Sequence, residues 1–127
     1  MPDRTTPPVH LKEKILQRIE AEPARVETDA CGGIVAVNPA FTALCGYSFP
    51  EIVGRKPGSF LQGEKTEPDA VRILREGVRN GHPCEVEMFN YHKDGSVYRV
   101  HIRMDPVRNE EGTVTGFHAV ERQIPGI

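Results

Sequence analysis

The order of predicted elements along the 127-residue chain predicts an α+β fold: one five-stranded antiparallel sheet, short helices on one of its faces, and an N-terminal flanking helix. Two strands come before a group of short helical segments and three longer strands come after it, an arrangement typical of this class. The middle strand of the last three alternates cleanly, with Tyr98, Val100, Ile102 and Met104 on one face. Such alternation indicates one face on a core and one face meeting water or a partner.

The N-terminal residues 1–23 are predicted to form a polar, proline-rich tail followed by an amphipathic helix over residues 9–22. The helix should end before Pro23, because a residue preceding proline leaves helical geometry. Its apolar stripe either packs on the domain's own sheet or pairs with a second copy of the chain. We favour a homodimer formed through this helix. The stripe consists of Leu11, Ile15, Leu16 and Ile19.

The domain itself is predicted over residues 24–124, followed by a short tail at 125–127. Glycines after Cys31 suit a tight turn between strands at 25–28 and 34–37. Asn38 is a suitable cap for a short helix that continues to Leu44. Ser48, with Glu51 three residues later, indicates a second helix start.

The central and C-terminal parts complete the pattern. Residues 54–63 are rich in glycine and predict a loop. Thr66 is predicted to cap a helix that ends at Asn80, before Gly81. The last three strands are predicted over 84–92, 96–106 and 113–124.

The charge, the cysteine content and the distribution of apolar residues argue against several classes of function. The formal net charge of −2 gives no reason to expect nucleic acid or an anionic membrane surface as a partner. Three widely spaced cysteines without a C-x-x-C pair argue against a disulfide framework and a zinc site. No apolar run is long enough to span a bilayer, and the N-terminus lacks the apolar core of a signal peptide. A cytoplasmic location is the simplest expectation.

Enzymatic activity is not expected. Cys84 with His82 or His118 is a conceivable pair of nucleophile and base. A lone cysteine on a strand is more often a small packed hydrophobic residue. No glycine-rich phosphate loop, serine elbow or metal-ligand spacing accompanies the pair.

Several segments, in this order and spacing, resemble the PAS domain family. The resemblance covers about residues 24–124, and it implies a sensory or interaction domain with the fold predicted above. The segments are Gly32-Gly33-Ile34-Val35-Ala36-Val37-Asn38-Pro39-Ala40-Phe41, Gly46-Tyr47, Glu51-Ile52-Val53-Gly54-Arg55, Asn90-Tyr91-His92-Lys93-Asp94-Gly95 and Pro106-Val107-Arg108.

Within that family, Phe60-Leu61-Gln62-Gly63 and Asn90 are similar to the light-oxygen-voltage (LOV) branch. Members of the branch hold a flavin mononucleotide and form a light-driven bond from it to a cysteine. The resemblance implies that Gln62 and Asn90 contact a flavin and that Arg75 contacts its phosphate. Without the resemblance, Arg75 is simply a solvated helix residue and Asn90 a turn former beside a hairpin.

Three departures from the LOV pattern bear on the cofactor. Lys56-Pro57-Gly58-Ser59 replaces the expected asparagine-cysteine-arginine and is one residue longer, so the reactive cysteine and one phosphate-binding arginine are missing. Val100 stands where a second ring-binding asparagine is expected, and a buried ring amide without a partner is costly. Glu121 stands where the ring-sensing glutamine is expected.

These departures exclude cysteine-adduct photochemistry and weaken flavin binding, while leaving non-covalent FMN or FAD open. Glu121 is expected to point inward with Phe117 and Ala119. A buried carboxyl has a raised pKa or needs a donor or cation. A structural ion pair with a neighbouring arginine is therefore the main alternative to a ligand-sensing role for Glu121.

Haem is not expected. Haem-binding relatives usually carry the iron-holding histidine on the helix before the long strands. The predicted 69–80 helix has no histidine; His82 follows it, and His101 falls on the outward strand face.

The sequence thus leaves two functional hypotheses. In the first, a ligand or cofactor in the core shifts the sheet and flanking helix, and the signal passes to an effector such as a histidine kinase or a cyclase. In the second, the domain holds no cofactor and serves dimerisation or partner docking.

Overall fold

A computed structural model describes residues 22–126 as one antiparallel sheet with helices between its second and third strands. The strands are β1 (Ala24–Asp29), β2 (Ile34–Val37), β3 (Cys84–Tyr91), β4 (Val97–Arg108) and β5 (Val114–Ile124). The helices are α1 (Pro39–Cys45), α2 (Phe49–Ile52), α3 (Gly58–Leu61) and α4 (Pro68–Asn80). The predicted α+β order is confirmed, whereas the flanking helix predicted over 9–22 lies outside the described residues apart from Glu22.

The sheet has the strand order β2-β1-β5-β4-β3, with every neighbouring pair antiparallel. The first and last strands therefore pair at its centre, where Val26 lies opposite Ala119. On the other side of β5, Met104 of β4 also lies opposite Ala119. This register brings the inward side chains of β1, β5 and β4 together on one continuous surface.

The alternation predicted for β4 is confirmed. Tyr98, Val100, Ile102 and Met104 are all at most 8% exposed. The residues between them point to the opposite face, where Arg99 pairs with Glu67 and His101 with Glu85. One face of β4 thus covers the core, as the period-two pattern requires.

Asn38 caps α1 as predicted and also ties α1 to the start of β1. Its side-chain oxygen accepts hydrogen bonds from the backbone N–H groups of Phe41 (3.0 Å) and Arg25 (2.8 Å). Its amide donates to the carbonyl of Pro23 (3.0 Å). A single side chain therefore fixes the entry of the domain against its first helix.

The predicted start of α4 was wrong by one residue. The N-cap is Glu67, not Thr66, and no side chain caps the helix. The Thr66 hydroxyl instead donates to the carbonyl of Phe89 on β3 at 2.7 Å and accepts from the amide of Gly63 at 3.0 Å. Because the Thr66 hydroxyl bonds to a residue distant in the sequence, it does not cap the helix.

The loop predicted over 54–63 contains the short helix α3. Pro57 already has helical dihedral angles, and the Ser59 hydroxyl donates to the carbonyl of Lys56 at 2.7 Å. Leu61 is only 2% exposed, so its burial fixes the turn against the core. Glycine content alone did not reveal this helical turn.

Candidate functional site

A cavity of about 570 Å³ lies between the sheet and the helices α3 and α4. Its floor consists of inward side chains from β1, β4 and β5, and its walls come from α4 and from the segment that contains α3. A cavity of this size suits a small organic ligand. Floor residues are Val26, Thr28, Ile102, Met104, Phe117, Ala119 and Glu121; wall residues include Gln62, Val71, Leu74, Arg75, Val78 and Arg79.

The polarity of the cavity changes from its inner end to its mouth. The apolar side chains of Ile102, Met104 and Phe117 are buried at its floor, at 7% exposure or less. Lys56 and Arg75 lie at the rim and are exposed. A ligand would thus place its apolar part inside and a charged part outside.

Glu121 is the ionisable residue on the cavity floor, at only 4% exposure. Burial raises the pKa of its carboxyl to about 7. Its Oε1 atom has no hydrogen-bond partner among the described residues, and no described arginine forms an ion pair with it. The structural ion pair considered for Glu121 is therefore absent from the part of the chain that the structure describes.

Tyr98 and Asn90 form a second buried polar pair on β4 and β3. Burial, with added effects of Glu121 and Cys45, raises the pKa of Tyr98 far above its usual range. Asn90 lies close enough to oppose that shift, but the pair does not meet hydrogen-bond geometry: neither the Tyr98 hydroxyl nor Asn90 Oδ1 has a partner among residues 22–126. An unpaired buried polar atom costs about 1–3 kcal/mol, so these atoms favour a bound partner or an ordered water.

The five residues predicted for cofactor binding divide into two groups. Gln62, Arg75 and Glu121 all line the cavity: Gln62 directly follows α3, Arg75 lies on α4 and Glu121 on β5. Asn90 and Val100 are buried at 2% and 0% exposure, but neither is among the cavity-lining residues. Val100 belongs to the apolar core. Their roles in binding remain predictions.

Sequence reasoning missed most of the apolar lining. The spacing of Val71, Leu74 and Val78 at i, i+3 and i+7 predicts a buried stripe on α4, but these side chains are only half-buried because they face the cavity. Lys56 and Arg79 at the rim were also missed. Helical spacing identified the face of α4, but it could not distinguish a packed face from one that borders a cavity.

The three cysteines differ in their relation to the cavity. Cys31, in the exposed β1–β2 turn, borders the cavity mouth, while Cys45 and Cys84 do not line the cavity. Burial raises the thiol pKa of both Cys45 and Cys84. A raised pKa keeps Cys84 protonated and makes it a poor nucleophile.

No group of metal-binding side chains occurs within residues 22–126. No helix in that range is long and apolar enough to cross a membrane.

The sequence profile of the PAS domain family matches residues 26–124, so the chain belongs to that family. The match begins within β1 and runs through the four described helices to the end of β5. It confirms the family predicted from the sequence motifs.

Two relatives are bacterial light-activated kinases. The chain is 40% identical over 94 residues to blue-light-activated histidine kinase 1 of Erythrobacter litoralis, covering 74% of this chain and 26% of the kinase. It is 36% identical over 84 residues to the blue-light-activated histidine kinase of Brucella canis, covering 66% of this chain and 17% of that protein. The chain therefore corresponds to a small part of each relative.

Solved structures show the same fold. The LOV domain of the Erythrobacter litoralis EL346 blue-light activated histidine kinase superimposes with a TM-score of 0.76 at 30% identity, covering 82% of this chain and 97% of that one. A LOV domain studied with a flavin analogue gives a TM-score of 0.78 at 33% identity, covering 88% and 83% of the two chains. The chain thus has the fold of LOV-type PAS domains.

Proposed function

We propose that this chain is the sensory domain of a larger cytoplasmic signalling protein and that it binds a small ligand non-covalently in the cavity above β1, β4 and β5. The observation that carries this proposal is the Oε1 atom of the buried Glu121 on the cavity floor, which has no hydrogen-bond partner within the described part of the chain. An apolar cavity with few, placed polar groups is the usual form of a small-molecule site.

A flavin is the first ligand to test, since the relatives are named as blue-light-activated kinases and the neighbours as LOV domains. Gln62, Arg75 and Glu121 would contact it, because these three predicted residues line the cavity. No cysteine stands between Gly46 and Pro83, the part of the chain that contains the expected adduct position. We therefore propose sensing without a cysteine adduct.

The output would be a change in the flanking segment that acts on a histidine kinase. A second cavity, on the side of α1, is bordered by Glu22, Pro23 and Leu44 and also by Glu121. Glu121 thus contributes to the ligand cavity and to the region where the chain enters the domain. A ligand that changes the hydrogen bonding of Glu121 would bias the packing of that region.

An absorption spectrum of the purified protein, with mass analysis of what denaturation releases, tests this proposal. Flavin bands and a released mononucleotide or dinucleotide would identify the ligand class. The matched control is Ala119→Phe, which fills the cavity floor and should abolish co-purification. A wild-type protein that releases nothing and binds no small molecule would contradict the sensor proposal.

The alternative is a cofactor-free module for homodimerisation or partner docking. The full burial of Val100 in the apolar core, where the resemblance expects an asparagine, favours it. Sedimentation of the chain with and without residues 1–21 tests the proposed homodimer through the N-terminal helix.

A further inference from the structure

The second cavity, on the side of α1, has a volume of about 780 Å³ and lies where the described part of the chain begins. Glu22 and Pro23 are the first two described residues, and both line this cavity. The side chain of Asn38 donates to the carbonyl of Pro23 at 3.0 Å and accepts from the amide of Arg25 at 2.8 Å. These two bonds hold the chain entry beside the cavity, so the residues that precede Glu22 start at its edge.

The helix α1 presents small apolar side chains to the second cavity. Ala40 and Leu44 are half-buried and Ala43 is exposed, and all three line it. Residues three and four apart on a helix are neighbours on its surface, so these side chains form one continuous apolar face. The distance between two packed helices depends on the side chains at the contact, and alanines allow a close approach.

The sequence before Glu22 supplies a matching apolar face. Ile19 precedes Glu22 by three residues, which is about 4.5 Å along a helix axis. The last apolar residue of the predicted helix therefore lies within reach of the second cavity, and the others follow at helical spacing. The stripe of this helix consists of Leu11, Ile15, Leu16 and Ile19.

Glu121 adds a polar group to the second cavity. Its side chain is 4% exposed, and its Oε1 atom has no hydrogen-bond partner among residues 22–126. A buried oxygen in this state favours an arrangement in which another group covers or pairs with it. Because Glu121 lines both cavities, a segment packed in the second cavity and a ligand in the first would border the same carboxyl.

We propose that residues 9–21 of the same chain pack into the second cavity, with their apolar stripe against Ala40, Ala43 and Leu44 of α1. This contact joins two parts of one chain, so it goes beyond the proposed ligand binding and holds for an empty domain. It also names the surface on which the flanking segment would respond to Glu121. A homodimer through the same stripe is the competing arrangement, because it uses the same side chains.

Disulfide formation between two introduced cysteines tests the contact. Ile19→Cys combined with Ala43→Cys places one thiol on the predicted stripe and the other on α1 in the second cavity. Gln17→Cys combined with Ala43→Cys is the matched control, because position 17 lies about 200° around a helix from position 19. Both variants also carry Cys31→Ser, which removes the exposed native thiol. The dilute protein is oxidised mildly and analysed by non-reducing electrophoresis and intact mass.

We expect an intrachain disulfide in the stripe variant, formed roughly tenfold faster than in the control, because a disulfide needs Cβ atoms about 3.5–4.5 Å apart. A disulfide-linked dimer as the main product of the stripe variant would overturn the proposal in favour of packing between two copies. Equal rates in the stripe and control variants would show that no face of the segment is held against α1, which also overturns it.

A protease measurement tests the same contact without introduced thiols. Ala43→Glu places a charge at an exposed position of the second cavity and should expel the segment without unfolding the domain. Val53→Glu is the matched control, since Val53 is 50% exposed and lies outside the lining of that cavity. We expect trypsin to cleave after Arg18 several-fold faster in Ala43→Glu than in the wild type or Val53→Glu. Equal cleavage rates in all three proteins would contradict docking.

The outcomes for docking and for ligand binding are independent. Both measurements use the chain without added ligand, so a negative result removes the docking contact and leaves the proposed ligand cavity untouched. A chain that binds no small molecule but forms the intrachain disulfide would lose the sensor proposal and keep the docking contact.

Discussion

Burial of the Tyr98 hydroxyl on β4 and, after it, the nearby Glu121 carboxyl on β5 raise the pKa of that hydroxyl, although Tyr98 and Glu121 share no hydrogen bond. Both groups lie in the interior, so neither can be solvated in place of a missing partner. Glu121 also lines the cavity, so a ligand that pairs with its Oε1 atom would remove the cost of leaving that oxygen without a partner among the described residues. These buried polar groups should therefore make the stability of the fold depend on ligand binding and on pH.

The first prediction concerns the pH dependence of stability. The folded pKa of Glu121, about 7, lies above its ordinary value of 4.5. The folded state therefore holds a proton that the unfolded state has released between these values, and its stability falls as pH rises through that window. The loss is about 3 kcal/mol by pH 8, from 1.36 kcal/mol per pKa unit.

Urea unfolding of the wild type and of Glu121→Gln at a series of pH values measures this effect. The amide cannot titrate, so the difference in unfolding free energy between the two proteins should change between pH 4.5 and 7 and stay flat above that range. A difference that is constant with pH would show that Glu121 does not titrate in the window.

The second prediction treats Val100 as a core residue. Val100→Thr keeps the shape of the side chain but buries a hydroxyl, which should cost about 1–3 kcal/mol of unfolding free energy. The matched control is Val97→Thr on the same strand, where the side chain is 37% exposed and the change should be nearly neutral. Equal effects at both positions would contradict the placement of Val100 in a dry core.

The third prediction concerns Asn38. Asn38→Ala removes three hydrogen bonds between the chain entry and α1, and we expect a loss of about 2–3 kcal/mol. Asn38→Asp keeps the two acceptor bonds and loses only the donor bond to Pro23, so it should cost about half as much. Thermal unfolding of both variants checks the order; equal losses would show that the acceptor bonds contribute little.

The fourth prediction concerns light. If the protein is loaded with flavin mononucleotide and illuminated with blue light, its flavin absorption bands should lack the reversible bleaching of a cysteine adduct. Cys31 is the cysteine at the cavity mouth, so Cys31→Ser is the control for any bleaching that occurs. Reversible bleaching that disappears in Cys31→Ser would overturn the proposal of adduct-free sensing.

Much of this fold follows from local sequence patterns. The period-two apolar residues of β4 identified its buried face, and the Asn38 cap and Gly81 stop located helices, because these features depend on neighbours in the sequence. Thr66 failed as a cap because its hydroxyl found the carbonyl of Phe89, 23 residues away. Long-range partners of this kind are not visible in a local pattern.

The site was predictable to a smaller extent. Motif resemblance pointed to Gln62, Arg75 and Glu121, which line one cavity, but also to Asn90 and Val100, which do not. The volume of a cavity depends on how far α4 stands from the sheet, and no spacing in the sequence encodes that distance. Ion pairs could not be predicted from spacing either, since only the coordinates show that Arg72 of α4 pairs with Asp69 and Glu76.

Mass spectrometry of the freshly purified 14.1 kDa chain, under native and then denaturing conditions, tests the central claim most directly. We predict one excess small-molecule mass in the native spectrum, its complete loss on denaturation, and no excess mass in the native spectrum of Ala119→Phe. An excess mass that survives denaturation would contradict non-covalent binding. A native mass equal to that of the polypeptide alone, even after incubation with flavin mononucleotide, would contradict the sensor account.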